Sequence, residues 1–207
     1  ILNNNKKKVI TNLSFYHSPN LPKKHNHVHI FFDKFKIIYN DPRRFGFIKY
    51  FNSNDKLNFF FRNYGPEPFE NNFNFKYLKK YLTNKKKNIK NLLLDQKFIS
   101  GIGNIYASEI LFYSKINPLK KGENISKYEI NKIIKKTRFV LSKAIKKGGS
   151  SIRNFKNTKG KIGSYQEEFA VYDRENKNCK NKNCKKKIVK INISKRSTFI
   201  CKYCQKI

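Results

Sequence analysis

The sequence contains no methionine and no tryptophan, and it has only 13 acidic residues against 47 Lys and Arg. No apolar run approaches the about 18 residues that a membrane-spanning helix needs, and no signal-peptide pattern is present. A membrane protein is therefore not expected, and the cytoplasm is the default location. Because translation starts with methionine, Ile1 is not expected to be the natural N-terminus.

The scarcity of acidic residues leaves a net charge of +34 and a pI of about 10.1. A field of this sign attracts polyanions, and nucleic acid is the commonest of them. Only seven of the 47 basic residues are Arg, and Asn, Ile and Lys are abundant throughout. An AT-rich genome would also produce that pattern, so the charge favours a nucleic-acid partner without proving one.

The first third of the chain has the composition of β-strands. Residues 27–32, Phe35 to Tyr39 and Gly46 to Phe51 are aromatic and β-branched, and strands are expected to continue to about Phe61. Asp33-Lys34 is predicted to turn the first of these runs into the second. Residues 65–68, Gly-Pro-Glu-Pro, predict a linker.

Helical patterns follow from Phe75 to about Lys147. One helix is predicted over residues 85–96, with Ile89, Leu92 and Leu93 on one face, and another over residues 104–115 after the glycine-bearing turn at 100–103. Ser126 and Glu129 form a capping-box pattern that starts a further helix, and Gly148-Gly149 should end it.

All four cysteines lie near the C-terminal end as two close pairs. The spacing is Cys179-x4-Cys184, sixteen residues, then Cys201-x2-Cys204, and residues 187–199 alternate like a β-hairpin. Two such pairs can supply four thiolates to one tetrahedral zinc, which leaves no open position for a catalytic water. Two disulfides or free thiols are the alternatives, and a cytoplasmic location disfavours the disulfides. One structural zinc is therefore expected.

Five motifs occur in an order and at spacings that together resemble the formamidopyrimidine-DNA glycosylase family. They are Asp41-Pro42-Arg43-Arg44-Phe45-Gly46, Gly65-Pro66-Glu67-Pro68, Gly101-Ile102-Gly103-Asn104-Ile105-Tyr106-Ala107-Ser108-Glu109, Val171-Tyr172 and Arg196-Ser197-Thr198-Phe199.

The resemblance implies an α+β multidomain fold. Its expected parts are the remainder of an N-terminal β-sandwich domain at 1–68, a helix–two-turn–helix domain at 69–155, a lesion-recognition loop and linker at 156–170, and a zinc β-hairpin finger at 171–207.

The resemblance also implies an activity. A bifunctional glycosylase and AP lyase would excise oxidised purines, such as 8-oxoguanine and formamidopyrimidines, from duplex DNA and cleave the abasic strand. The expected partner is double-stranded damaged DNA and the expected state is a monomer. The implied location is the bacterial cytoplasm, at the nucleoid during repair.

An enzyme that acts on a base within a duplex must extrude the nucleotide, bend the DNA and fill the vacated space. By resemblance, Arg43 reads the widowed base and Phe45 is the wedge; from the residues alone, a surface Arg and a core Phe are equally consistent. The resemblance assigns other DNA contacts to His25, Lys86, Asn104, Lys161 and Arg196.

These assignments have ordinary alternatives. Asn104 fits an N-cap and Lys86 a solvated lysine, while the histidines at 25, 27 and 29 weakly suggest a metal. Arg196 matches the finger arginine that grips phosphates and is implicated in the second elimination, which makes it the one candidate catalytic residue in the chain. Phe15 aligns loosely with a third wedge that is a methionine in the family.

The family's nucleophile is an N-terminal proline, which forms a Schiff base with C1′ of the sugar and is followed by a glutamate. That Pro-Glu start and a later hairpin lysine are not found among these residues. The 207-residue chain is therefore expected to lack base excision. Alternatives are an endonuclease VIII-like glycosylase, a non-catalytic zinc-dependent protein that binds damaged DNA, and, on charge alone, an RNA-binding zinc protein.

Overall fold

The computed structural model describes residues 22–150 and 163–206, together with the backbone of residues 2–4 and 7–9. The chain forms two compact units. Unit 1 comprises residues 1–56 and 144–168, and unit 2 comprises residues 57–143 and 169–207. Strands and helices both occur, as the α+β class predicts.

Unit 1 contains a four-stranded antiparallel sheet with the order β2-β1-β4-β3. Its strands are β1 (Leu2–Asn4), β2 (Lys7–Val9), β3 (Asn26–Phe31) and β4 (Phe35–Asn40). The Phe32 N–H donates to the Phe35 carbonyl at 2.9 Å and closes the β3–β4 hairpin. The predicted turn at Asp33-Lys34 is confirmed.

The segment after β4 differs from the prediction. Residues 46–51 form no strand with any part of the chain that is described, and Asn54–Phe61 form helix α1 instead of a strand. Aromatic residues favour a strand only where a partner strand is available to pair with them. Ser53 Oγ accepts the Lys56 N–H at 3.4 Å, and this cap starts the helix.

Unit 2 contains the helices α2 (Phe75–Leu82), α3 (Ile89–Leu93) and α4 (Asn104–Ser114), and α5 (Lys127–Lys146) runs from unit 2 into unit 1. Side chains cap the first two, because Asn74 accepts the Tyr77 N–H and Asn88 accepts the Asn91 N–H. The capping box of α5 is confirmed: Ser126 Oγ accepts the Glu129 N–H at 3.2 Å and Glu129 accepts the Ser126 N–H at 2.8 Å.

Helix α3 is shorter than the predicted helix over residues 85–96. The carbonyls of Lys85 and Lys87 accept the N–H groups of Glu123 and Gly122 at 3.0 Å each, so they lie outside the helix. Gly122 permits this close approach, since a Cβ there would lie 2.6 Å from Leu92 Cδ1. The loop over residues 85–87 is therefore fixed to a neighbouring segment.

Glycines end or precede helices where the sequence predicts turns. Gly148 and Gly149 have φ of 72° and 87°, and the Gly149 N–H donates to the Ala144 carbonyl, which ends α5. Gly101 has φ of 80° in the turn before α4. The predicted linker at 65–68 is irregular, and its Gly65 packs so closely that a Cβ would lie 2.4 Å from the Phe98 carbonyl oxygen.

The last element is the predicted hairpin, formed by β5 (Val189–Ile193) and β6 (Arg196–Ile200). Ser194 and Lys195 have φ of 49° and 62°, the left-handed pair typical of a type I′ turn. Phe199 and Cys201 pack with Phe112 of α4 in one apolar cluster. No helix of the described residues combines the length and apolarity needed to cross a bilayer.

Candidate nucleic-acid interface

In unit 1, Asp41 organises the loop that follows β4. Its Oδ1 accepts the N–H groups of Arg43 and Arg44 at 3.0 and 2.9 Å. Its Oδ2 accepts the Gly46 N–H at 2.8 Å and the Tyr39 hydroxyl at 3.0 Å. The bond from Gly46, together with the others, lowers the pKa of the Asp41 carboxyl. One carboxylate thus defines the path of six residues.

The loop presents Arg43 and Phe45 on the surface. Phe45 is 77% exposed, and the Arg43 guanidinium carbon lies 4.6 Å from the centroid of its ring. The alternative in which Phe45 belongs to the core is therefore wrong. An exposed aromatic ring with a stacked guanidinium offers both an apolar wedge and hydrogen-bond donors.

His25 lies at the end of a short 3₁₀ turn beside this loop, and its carbonyl accepts the Asp41 N–H at 3.0 Å. The neighbouring His27 Nε2 lies 2.8 Å from the Asp41 carbonyl oxygen. Among the described residues, the histidines belong to no group able to hold a metal. The structure thus brings His25, Arg43 and Phe45 together around Asp41.

In unit 2, Lys86 is exposed at the centre of the loop that precedes α3. Lys85 and Lys87 on either side are held by backbone hydrogen bonds to residues 122 and 123. The ammonium of Lys86 therefore extends from a fixed backbone.

Asn104 is the first residue of α4, and Gly103 is its N-cap, so the interpretation of Asn104 as the cap is wrong. Its Nδ2 donates to the Ser197 carbonyl at 2.9 Å, which joins the start of α4 to the hairpin. Its Oδ1 is buried and has no hydrogen-bond partner among the residues that the structure describes. The exposed Arg196, next to Ser197, begins β6 beside this junction.

Lys90 of α3 also contacts this junction, which the sequence analysis did not predict. Its side chain is completely buried, and its Nζ donates to Thr198 Oγ1 and, at 3.3 Å, to the Ser197 carbonyl. Burial, and then the charge of Arg196, lower the pKa of Lys90 to about 8. The chain has forty lysines, and only the position of Lys90 between the apolar residues Ile89 and Leu92 could have indicated that its side chain is buried.

The four cysteines form a cluster in which every pair of sulfur atoms lies within 4.8 Å. Cys179 and Cys204 Sγ are 3.8 Å apart, and Cys184 and Cys201 Sγ are 3.6 Å apart. A tetrahedral ion about 2.3 Å from each sulfur would separate the sulfurs by about 3.8 Å. These distances exclude disulfides, whose sulfurs are about 2.05 Å apart. The cluster could hold a metal ion.

Hydrogen bonds to the sulfurs also suit a metal site. The backbone N–H of Lys186 lowers the pKa of Cys184, whereas burial raises the pKa values of Cys179 and Cys204. Asn181 donates its N–H to Cys179 Sγ at 3.5 Å and its Nδ2 to Cys204 Sγ at 3.4 Å. Such donors stabilise thiolates, the form that binds metals.

Glu109 of α4 anchors the segment that leads into the cysteines. Its buried carboxylate accepts the N–H groups of Ala170, Val171 and Tyr172 at 2.8, 2.9 and 2.9 Å. Burial raises the pKa of Glu109, and the three N–H groups oppose this rise. Glu109 and Val171-Tyr172 belong to separate motifs that the structure brings into contact.

Lys161 and Phe15 lie outside the described residues. Of the remaining candidates, His25, Arg43 and Phe45 belong to unit 1, and Lys86, Asn104, Arg196 and the cysteines belong to unit 2.

Comparisons with known proteins identify the family to which the chain is similar. Residues 64–156 match the model of the formamidopyrimidine-DNA glycosylase H2TH domain. Over 183 residues, the chain is 42% identical to the formamidopyrimidine-DNA glycosylase of Wolbachia sp. subsp. Drosophila simulans (strain wRi), with 88% of this chain and 66% of that protein covered. The chain thus spans just under two thirds of that relative.

Two solved structures are similar across 91% of this chain and 69% of theirs. One is the Lactococcus lactis Fpg bound to DNA that contains an abasic site, with a TM-score of 0.79 and 34% identity. The other is a variant of the same protein bound to DNA that contains Fapy-dG, with a TM-score of 0.80 and 33% identity. The chain belongs to the formamidopyrimidine-DNA glycosylase family.

The match to the H2TH model separates the candidate residues within unit 2. The region that matches the H2TH model contains Lys86 and Asn104 and ends before the four cysteines. The cysteine hairpin nevertheless packs on α4 of that region, through the cluster that joins Phe112 to Phe199. In this family member, the hairpin and helix α4 therefore share one apolar cluster.

Proposed function

We propose that this protein is a DNA glycosylase and AP lyase that excises oxidised purines from duplex DNA and cleaves the resulting abasic strand. The observation that carries the proposal is the exposed Arg43–Phe45 pair on the loop held by Asp41. Burial would normally be favoured for such a ring, so its exposure on an ordered loop suits insertion into a base stack. The related L. lactis protein binds DNA that contains an abasic site or Fapy-dG.

In this proposal, Arg43 reads the base left unpaired and Phe45 fills the space of the extruded nucleotide. His25, Lys86, Asn104, Lys161 and Arg196 contact the sugar-phosphate backbone, which positions the protein and supplies most of the affinity. The sheet of unit 1 is the remainder of the family's β-sandwich domain. The protein acts as a monomer in the cytoplasm.

The ion proposed for the cysteine cluster is zinc, since four sulfur ligands in a tetrahedron are its commonest structural site. Cys179, Cys184, Cys201 and Cys204 would hold it. With four protein ligands, the ion would stabilise the hairpin that carries Arg196 and would take no part in the chemistry.

Borohydride trapping on a duplex that contains 8-oxoguanine tests the proposed chemistry. The resemblance implies a nucleophile in an N-terminal Pro-Glu pair, and these 207 residues do not start with one, so the chain alone should yield no covalent adduct. A chimera that joins the N-terminal segment of the Wolbachia relative to this chain should yield one. If neither protein is trapped, the glycosylase proposal fails. An adduct with the chain alone would point to a lysine nucleophile.

A further inference from the structure

We infer that Lys90 is a positioning residue that fixes the strand carrying Arg196, so that Arg196 meets DNA in one orientation. The inference rests on the proposed DNA-binding role of Arg196 and extends it to a buried residue that does not touch DNA itself.

The backbone next to Arg196 is held by donors from two helices. Lys90 Nζ on α3 donates to the Ser197 carbonyl at 3.3 Å, and Asn104 Nδ2 on α4 donates to the same oxygen at 2.9 Å. Lys90 also donates to Thr198 Oγ1, and that hydroxyl donates to the Arg196 carbonyl at 3.2 Å. The carbonyls of Arg196 and Ser197 are thus both tied to the helices.

Helix α3 gives Lys90 a rigid base. The N–H groups of Ile89 and Lys90 donate to the carbonyls of Lys120 and Pro118 at 2.8 and 3.3 Å. Asn91, the next residue, donates to Ser194 Oγ in the hairpin turn at 2.7 Å. The same short helix therefore holds both the turn and the strand that follows it.

Burial of the Lys90 ammonium does not by itself stabilise the fold. Its fully buried ammonium is solvated by neutral oxygens, and the nearby Arg196 carries the same charge. An apolar side chain of equal length would fill this space at a lower desolvation cost. What the ammonium adds is a pair of directional hydrogen bonds to the strand that begins with Arg196.

A double-mutant cycle on the full chain tests this inference, with affinity for an abasic-site duplex as the readout. Lys90→Met should weaken binding about ten-fold, and in an Arg196→Ala background it should weaken binding less than about two-fold, because coupled residues are not additive. Metal content and melting temperature should stay near those of the parent chain. Lys127→Met, which removes an exposed charge, should have less than about a two-fold effect.

Thr198→Val is the second variant, because it removes the linking hydroxyl and keeps the shape of a buried side chain. It should weaken binding in the same Arg196-dependent way, even if Lys90→Met fails to fold.

Equal losses of affinity with and without Arg196 would overturn the inference and leave the proposed function intact. A parent chain that binds abasic and undamaged duplexes equally would overturn the proposed function. An Arg196→Ala variant that binds like the parent would overturn the DNA-binding role of Arg196, and with it the inference about Lys90.

Discussion

Asp41 Oδ2 accepts the backbone N–H of Gly46 at 2.8 Å, and this hydrogen bond closes the loop that carries Arg43 and Phe45. No larger residue fits at position 46 without a shift, since a Cβ there would lie 2.0 Å from the Tyr39 hydroxyl. The hydroxyl in turn donates to the same carboxylate oxygen. The orientation of the proposed wedge therefore depends on a carboxylate that makes no contact of its own with DNA in this account.

Asp41→Ala should reduce affinity for an abasic-site duplex about ten-fold, a loss comparable to that of a base-contacting side chain. The variant removes the four hydrogen bonds that the carboxylate accepts from described residues, and the loop then samples other conformations. Asp33→Ala, in the exposed β3–β4 turn, is the matched control and changes the net charge equally. Equal affinities of the two variants, measured by fluorescence anisotropy, would show that the loop needs no such support.

The lowered pKa of Asp41 makes a prediction about acid stability. A carboxyl with a lower pKa in the folded than in the unfolded state stabilises the fold above the unfolded value of about 3.9. This contribution disappears as the pH falls through the folded pKa. The difference in unfolding free energy between the parent chain and Asp41→Asn should therefore shrink between about pH 5 and pH 2. A difference that stays constant over this range would contradict the assignment.

Arg43→Ala should weaken binding and also reduce discrimination between bases opposite the lesion, because a base-reading arginine contributes about 1–3 kcal/mol of specificity. The control is Arg44→Asn, which removes the neighbouring charge at a position with φ of 52° that Asn tolerates. That control should lower affinity by the same factor for every opposite base. The measurement is a set of equilibrium titrations with four duplexes that differ only at that base. Unchanged discrimination in Arg43→Ala would reject its role as the reader.

Parts of this architecture could be predicted because local chemistry decides them. The turn at Asp33, the capping box of Ser126 and Glu129 and the glycine end of α5 each involve residues close in sequence. The cysteine spacing likewise implied the cluster that the structure contains. The hydrogen bonds join residues a few positions apart, and the cysteines occur at a recognisable spacing.

Other parts depend on partners that are distant in sequence. Lys90 is buried because Ser197 and Thr198, more than a hundred residues away, accept its hydrogen bonds. The strand predicted over residues 46–51 has suitable side chains, yet no described segment pairs with it. Helix α1 is a separate case: its cap at Ser53 is local, but the aromatic run Phe59 to Phe61 indicated a strand. Composition alone does not reveal which partners the fold will supply.

The cysteine cluster predicts one zinc ion per chain. Elemental analysis of chain purified without chelators should give a ratio near one, and removal of the ion should abolish tight DNA binding because the hairpin of Arg196 packs on the cluster. Restoring zinc, but not magnesium, should restore binding, since magnesium prefers oxygen ligands. A metal-free chain that binds DNA with the parent's affinity would rule out this structural role.

A competition titration measures whether this chain recognises damaged duplex DNA, as we propose. The 207-residue chain is bound to a labelled duplex with an abasic-site analogue, and unlabelled undamaged or abasic duplexes of the same sequence are added at fixed salt. We expect the abasic duplex to compete at least about ten-fold better, because the vacant position admits Phe45 without the cost of unstacking a base. Equal competition by the two duplexes would show that the chain does not recognise the damage and binds DNA only through its charge.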